Sequence, residues 1–206
     1  MGSRNYLWSH FRNRIAVNRR QISIALVTVL ASALCQIALA QAPAHEALIR
    51  FEVDGLSFDY PAAIELEDHS TVSGQHLVIQ SKGQAQIMIV SRYAQIHTAE
   101  ELAAAKHEVV DSFIETMWQQ IHDQDSNVLR TTAQIEVAGK QATGVRLRAV
   151  LENQPGNAEI YSLQLGSRLV LLSLIGTDRE ISASASAWLA IRRSLKVKAN
   201  SRVGAF

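Results

Sequence analysis

Residues 41–206 predict an α+β layered sandwich, in which two long helices lie on a largely antiparallel sheet. Three observations carry this expectation. Short alternating apolar runs are separated by tight-turn dipeptides, two Thr-x-x-Glu boxes open stretches of helical periodicity, residues 87–90 are apolar at consecutive positions and residues 169–175 are apolar on both sides, so those strands need cover on both faces.

The elements follow in order. Residues 49–53 and 56–60 flank Asp54-Gly55, whose tolerance of positive φ marks a tight hairpin, and Pro61 stops the second strand. Residues 64–67, 76–80 and 85–93 read as three further strands, the last two joined near Lys82-Gly83. Thr98 and Glu101 then form a capping box: the hydroxyl satisfies a first-turn N–H and the carboxylate reaches back. Leu102, Val109, Phe113 and Met117, with Val110, Ile114 and Ile121 beside them, keep the spacing of one buried stripe until Asp125-Ser126-Asn127 ends the helix. Burying each large side chain contributes ~1.5–3 kcal/mol, more than helix propensity alone supplies.

An antiparallel meander of four strands comes next. In residues 129–137 and again at Val145, Leu147, Ala149 and Leu151 the odd positions are the less polar set. If all of these share one face, the connection between the strands holds an odd number of residues, most simply Ala138-Gly139-Lys140. The same parity makes residues 153–157 a five-residue loop and Gly166-Ser167-Arg168 the turn into residues 169–175, a central strand. Thr177 and Glu180 cap a second helix, running to about Ser194 with Ile181, Ala185, Trp188, Leu189 and Ile191 on its apolar side, and residues 195–198 close the domain.

Composition bounds the function. Residues 1–40 hold five of the twenty Lys and Arg and none of the nineteen Asp and Glu, so the rest carries fifteen basic against nineteen acidic residues, a formal −4. A mildly acidic body has no broad electrostatic footprint for nucleic acid or an anionic membrane. Five arginines in residues 1–21, the apolar run of residues 22–40 and the small-x-small end Ala38-Leu39-Ala40 give the layout of a secretory signal with a mature start at Gln41. The alternative is an uncleaved inner-membrane anchor, and membrane contact arises only in that case. Leu34 before Cys35 excludes a lipobox, and Asn18-Arg19-Arg20-Gln21-Ile22 resembles a twin-arginine export signal. Cleavage after Ala40 leaves a single exported domain, residues 41–206 with a core at 49–198, that contains no cysteine and is periplasmic or extracellular.

The order of motifs is similar to that of the Mog1/PsbP-like superfamily. The resemblance rests on Leu56-Ser57-Phe58-Asp59-Tyr60-Pro61, the Thr98 helix, Val137-Ala138-Gly139-Lys140-Gln141-Ala142 and Trp188-Leu189-Ala190-Ile191-Arg192-Arg193-Ser194-Leu195. It implies a strand that ends in a proline turn, a last helix packed on the sheet, and a protein-binding or assembly role rather than catalysis. The partner implied is another envelope protein, and no cofactor is implied. Ala62-Ala63-Ile64 follows the proline where many relatives carry glycine or tryptophan.

Side chains that could carry chemistry are few. His107 and Asp111 stand four apart on one helix face, the spacing of a metal-ligand pair, although the same pair stabilises a solvated helix without metal. His69 and His76, with Glu67 and Asp68, bracket a polar loop that could take up a metal adventitiously. Arg130, Arg146 and Arg148 are expected to gather on the polar side of one hairpin, where they either contact an anionic ligand or partner or pair with Glu136, Glu152 and Glu159. Arg168, Arg192 and Arg193 form a second possible group. Trp118, at the margin of its stripe, is either a contact aromatic or core. Ser182, Ser184 and Ser186 are read as small residues that let helix and sheet approach. No nucleophile elbow, phosphate loop or zincin motif occurs. The expected function is therefore non-enzymatic. A small-molecule carrier with a cavity under the Thr98 helix is the alternative, and a metal-dependent hydrolase using His107 and Asp111 comes after it.

Overall fold

The computed structural model describes residues 46–198. The sequence of elements there is β1 (Leu48–Val53), β2 (Leu56–Pro61), β3 (Glu65–Asp68), β4 (Gly74–Gln80), β5 (Gln86–Arg92), α1 (Ala99–Ala105), a π-helical segment (Lys106–Asp111), α2 (Ser112–His122), β6 (Leu129–Val137), β7 (Lys140–Leu151), β8 (Gln154–Leu165), β9 (Arg168–Thr177), α3 (Asp178–Ala183), α4 (Ala185–Ser194) and β10 (Lys196–Val197). Two antiparallel sheets result, one in the order β1-β2-β10 and a seven-stranded one in the order β3-β4-β5-β9-β8-β7-β6. The α+β class is as the sequence predicts.

The seven-stranded sheet is buried on both sides. One side, here the hairpin face, carries Leu77, Ile79, Ile87, Ile89, Tyr161, Leu163, Val170, Leu172 and Leu174 against Leu56 and Phe58 of β2 and against Ala187, Trp188 and Ile191 of α4. On the opposite helix face, Leu147, Ala149, Ala158, Ile160, Leu169 and Leu171 pack under Val110, Ile114 and Ile121. β9 lies between β5 and β8, which places the run predicted to be central at the centre. Every residue from Arg168 to Leu174 is buried.

The Asp54-Gly55 hairpin forms with positive φ at both residues (48° and 80°). Both capping boxes close as expected: the Glu101 and Glu180 backbone N–H groups donate to the Thr98 and Thr177 hydroxyls, and each carboxylate accepts from its cap's N–H. The helices differ from expectation in their middles. The π-helical segment carries extra residues per turn, so the deepest positions become Val110, Ile114 and Ile121, with Val109, Phe113 and Met117 only half-buried. The second helix is broken at Ser184, whose φ of −92° and ψ of 2° leave the helical region. Its buried hydroxyl accepts from the backbone N–H of Ala85 at 2.8 Å. The break turns Ala187 inward and leaves Ala185 and Leu189 exposed, contrary to the stripe read from sequence.

The meander differs in register. Its three connections each hold two residues: Ala138-Gly139 between Val137 and Lys140, Glu152-Asn153 between Leu151 and Gln154, and Gly166-Ser167 between Leu165 and Arg168. Ala138, Gly139, Glu152 and Asn153 all have positive φ, between 51° and 73°, the conformation of the type I′ turn whose twist suits a hairpin. The three-residue and five-residue loops are therefore not formed. An even loop puts odd residues of one strand opposite even residues of the next, so the odd positions of β6 share the hairpin face while those of β7 share the helix face.

Gly144 marks the tightest approach within the meander. A methyl group there would stand 1.9 Å from the carbonyl oxygen of Ile160 in the neighbouring strand. Gly144→Ala is expected to cost about 3 kcal/mol, since backbone rather than a movable side chain must yield. Urea denaturation with an unchanged slope and a lowered midpoint is the measurement.

Candidate functional site

The short reversals decide where the candidate arginines go. Arg130 is opposite Leu147 and projects from the helix face, whereas Arg146 is opposite Thr131 and Glu159, and Arg148 is opposite Leu129 and Asn157, on the hairpin face. The three do not gather. Glu136 shares the face of Arg130, and Glu152 sits in a turn, so of the three expected acidic partners Glu159 alone pairs with an arginine of β7.

What the hairpin face assembles is a ladder of polar side chains across β7, β8 and the start of α3. Arg146 Nε donates to Glu159 Oε1 at 2.8 Å, and the Tyr161 hydroxyl donates to Glu159 Oε2 at 2.9 Å. Glu159 is 9% exposed and Tyr161 fully buried, with the Tyr161 ring 6.5 Å from that of Trp188. Both oxygens of a nearly buried carboxylate thus find donors, as a low-dielectric site requires. One strand position along, the Arg148 guanidinium forks onto both oxygens of Asp178, and Asn157 Nδ2 lies 3.5 Å from Asp178. Arg148 holds the Asp178 carboxyl below its ordinary range. Burial, reinforced by the negative charge of Glu159, pushes the Tyr161 phenol upward.

Sequence reading predicts cross-strand pairing of these arginines with Glu136, Glu152 or Glu159 in general, without assigning Arg146 to Glu159, and does not anticipate the other members. Tyr161 reads as a core residue, Asn157 as loop and Asp178 as the first residue of a helix. The signal was the alternation Asn157-x-Glu159-x-Tyr161, three hydrogen-bonding side chains on one face of one strand. Chemically the ladder is balanced: two guanidinium groups meet two carboxylates, and the phenol donates to one of these. It suits a structural lock more than an anion site.

The remaining candidates lie elsewhere. His107 Nδ1 and Asp111 Oδ2 are 3.2 Å apart with both side chains open to solvent, the geometry of a surface pair on a helix. His69 pairs with Glu67 at 3.0 Å, its ring 5.9 Å from that of His76, while Asp68 accepts from the Ser70 backbone. Among the described residues no three His, Cys, Asp or Glu side chains are grouped to hold a metal ion. Trp118 is half-buried against the helix-face core and stacked on His122 at 5.4 Å. Arg168 is buried, its Nη1 donating to the carbonyl of Asp54 and its guanidinium 5.2 Å from the Tyr93 ring centre, whereas Arg192 lies over Trp188. These two arginines take separate partners. Beneath α2 and the π-helical segment the side chains of Val110, Ile114 and Ile121 pack against Leu147, Ile160, Leu169 and Leu171 of the sheet.

This chain is similar to a cyanobacterial PsbP. The solution structure of CyanoP from Synechocystis sp. PCC 6803 matches with a TM-score of 0.43 and 13% identity, covering 77% of this chain and 97% of that one. The crystal structure of PA94, a protein of unknown function from Pseudomonas aeruginosa, matches with a TM-score of 0.37 and 10% identity, covering 74% of this chain and 99% of that one. No family model matches the chain, and no curated protein does. Among the described residues no helix is long and apolar enough to cross a membrane. Residues 1–40, on which the signal or anchor reading rests, lie outside the described residues.

Two outcomes test the ladder. Arg146→Met leaves the nearly buried Glu159 carboxylate short of a charged donor and is expected to cost about 2 kcal/mol, more than Arg148→Met at its exposed pair, by chemical denaturation. Tyr161→Phe is expected to cost about 1 kcal/mol at neutral pH. The folded phenol titrates above its unfolded value of about pH 10, so its contribution is complete below that pH and is lost as pH rises through the folded value. Melting temperature against pH should therefore fall less steeply in the alkaline range for Tyr161→Phe than for the parent.

Proposed function

We propose that this chain is an exported, non-enzymatic envelope protein that acts as a protein-binding or assembly module. The observation that carries the reading is the outer strand of the small sheet. β1 leaves Ile49 and Val53 at 43% and 42% exposed on the face that carries the stacked pair Phe51 and Phe58, ring centres 5.0 Å apart, and Leu48 at 53% exposed on the other face at the start of the same strand. Clustered exposed apolar side chains mark contact surfaces more often than scattered ones do. The charged ladder supports the same reading from the other direction, because its acids and bases neutralise each other inside the domain. Export rests on residues 1–40 and the Ala38-Leu39-Ala40 end.

A photo-cross-linking residue placed at Leu48 in cells, with Gln141 as the exposed control, is the test. A reproducible adduct with one envelope protein at position 48 and none at 141 is expected. Absence of any adduct at 48, or the same adducts at both positions, overturns the reading.

A further inference from the structure

The two edges of the seven-stranded sheet are built differently. β3, on one side, has four residues, three of them acidic, which is a familiar way to discourage strand addition. On the other side β6 runs for nine residues with neither Pro nor Lys, and it pairs residue for residue with β7 without a bulge. Among the described residues no strand pairs with its outer edge. Leu129 is 65% exposed beside it.

The sequence of β6, Leu-Arg-Thr-Thr-Ala-Gln-Ile-Glu-Val, is complementary to itself when reversed about Ala133. Arg130 then meets Glu136 of a second copy, and Thr132 meets Gln134. Neither Arg130 nor Glu136 has an ion-pair partner among the described residues. The backbone agrees. In a two-residue hairpin the residues flanking the turn, Val137 and Lys140, exchange hydrogen bonds, so odd residues of β6 face β7 and the N–H and C=O groups of Arg130, Thr132, Gln134 and Glu136 point outward. Opposing Thr132 to Gln134 and Arg130 to Glu136 joins outward groups to outward groups. The carbonyl of Glu136, which accepts a 3.5 Å contact from Arg192, keeps a second lone pair for the incoming strand.

We propose that two copies of this chain pair antiparallel through β6, about a two-fold axis at Ala133, to give one continuous sheet across the dimer. Such an isologous contact closes on itself and leaves both β1 strands open. It stands independently of the partner-binding reading above.

The test is sedimentation of the full-length chain over a range of concentrations. The parent is expected to move from monomer to dimer. Arg130→Glu and Glu136→Arg, each placing like charges opposite one another at both ends of the interface, should each weaken self-association about ten-fold. An equimolar mixture of the two variants should associate again, since each mixed contact is opposite in charge. Thr132→Pro, which removes an outward N–H and leaves the β7 ladder intact, should abolish the dimer without loss of the folded circular dichroism spectrum. A parent that stays monomeric throughout overturns the proposal, as does a dimer indifferent to all three substitutions or a mixture that fails to re-associate.

Discussion

Three two-residue reversals hold the meander in register, and the rest of the structure depends on that register. β8 and β9 are buried on both faces over most of their length, so a slip of one residue would exchange what each face offers to its covering layer. With Ala138-Gly139, Glu152-Asn153 and Gly166-Ser167 as the connections, Tyr161, Leu172 and Leu174 meet β2 and α4, while Ile160, Leu169 and Leu171 meet α2. Positive φ at Ala138, Glu152 and Asn153 is disfavoured for residues that carry a Cβ, and the strand pairing on either side maintains it.

The polar ladder follows from the same register. Glu159 can be nearly buried because Arg146 stands directly across from it and Tyr161 two residues along. A one-residue slip of β7 against β8 would take Arg146 away from Glu159 and leave the Tyr161 hydroxyl as its donor. A buried, fully donated carboxylate adds little net stability over an apolar residue of similar size, but removing one of its donors is costly. The Arg146–Glu159 contact thus favours the observed pairing of β7 and β8 over a one-residue slip. The ladder's charges are matched inside the domain, while β1 leaves Ile49 and Val53 exposed and β6 leaves one strand edge unpaired among the described residues.

Much of the architecture was legible. The Asp54-Gly55 hairpin, both capping boxes and the centrality of residues 169–175 are signalled by residues close in sequence, where local chemistry decides. The placement of Arg130 was not legible. Its side depends on whether a loop holds two residues or three, and Ala138, without the tolerance of glycine or asparagine, gives no sign that it adopts the left-handed conformation. Likewise nothing near Ser184 announces a break, since its hydroxyl leaves the helix to meet the Ala85 N–H, which is distant in sequence.

The sequence by itself determined the α+β class, the number of strands in the meander, the starts of both helical stretches and the charge asymmetry of residues 1–40, all of which arise from patterns a few residues long. Tertiary structure decided which face each side chain takes, where the helices bend, and that Asp178, Asn157 and Tyr161 join one ladder with Arg146, Arg148 and Glu159. The physical reason is that strand register is a collective property: the hydrogen bonds of every neighbouring strand, and the packing of both layers, select it together, and no single turn dipeptide carries enough free energy to select it alone.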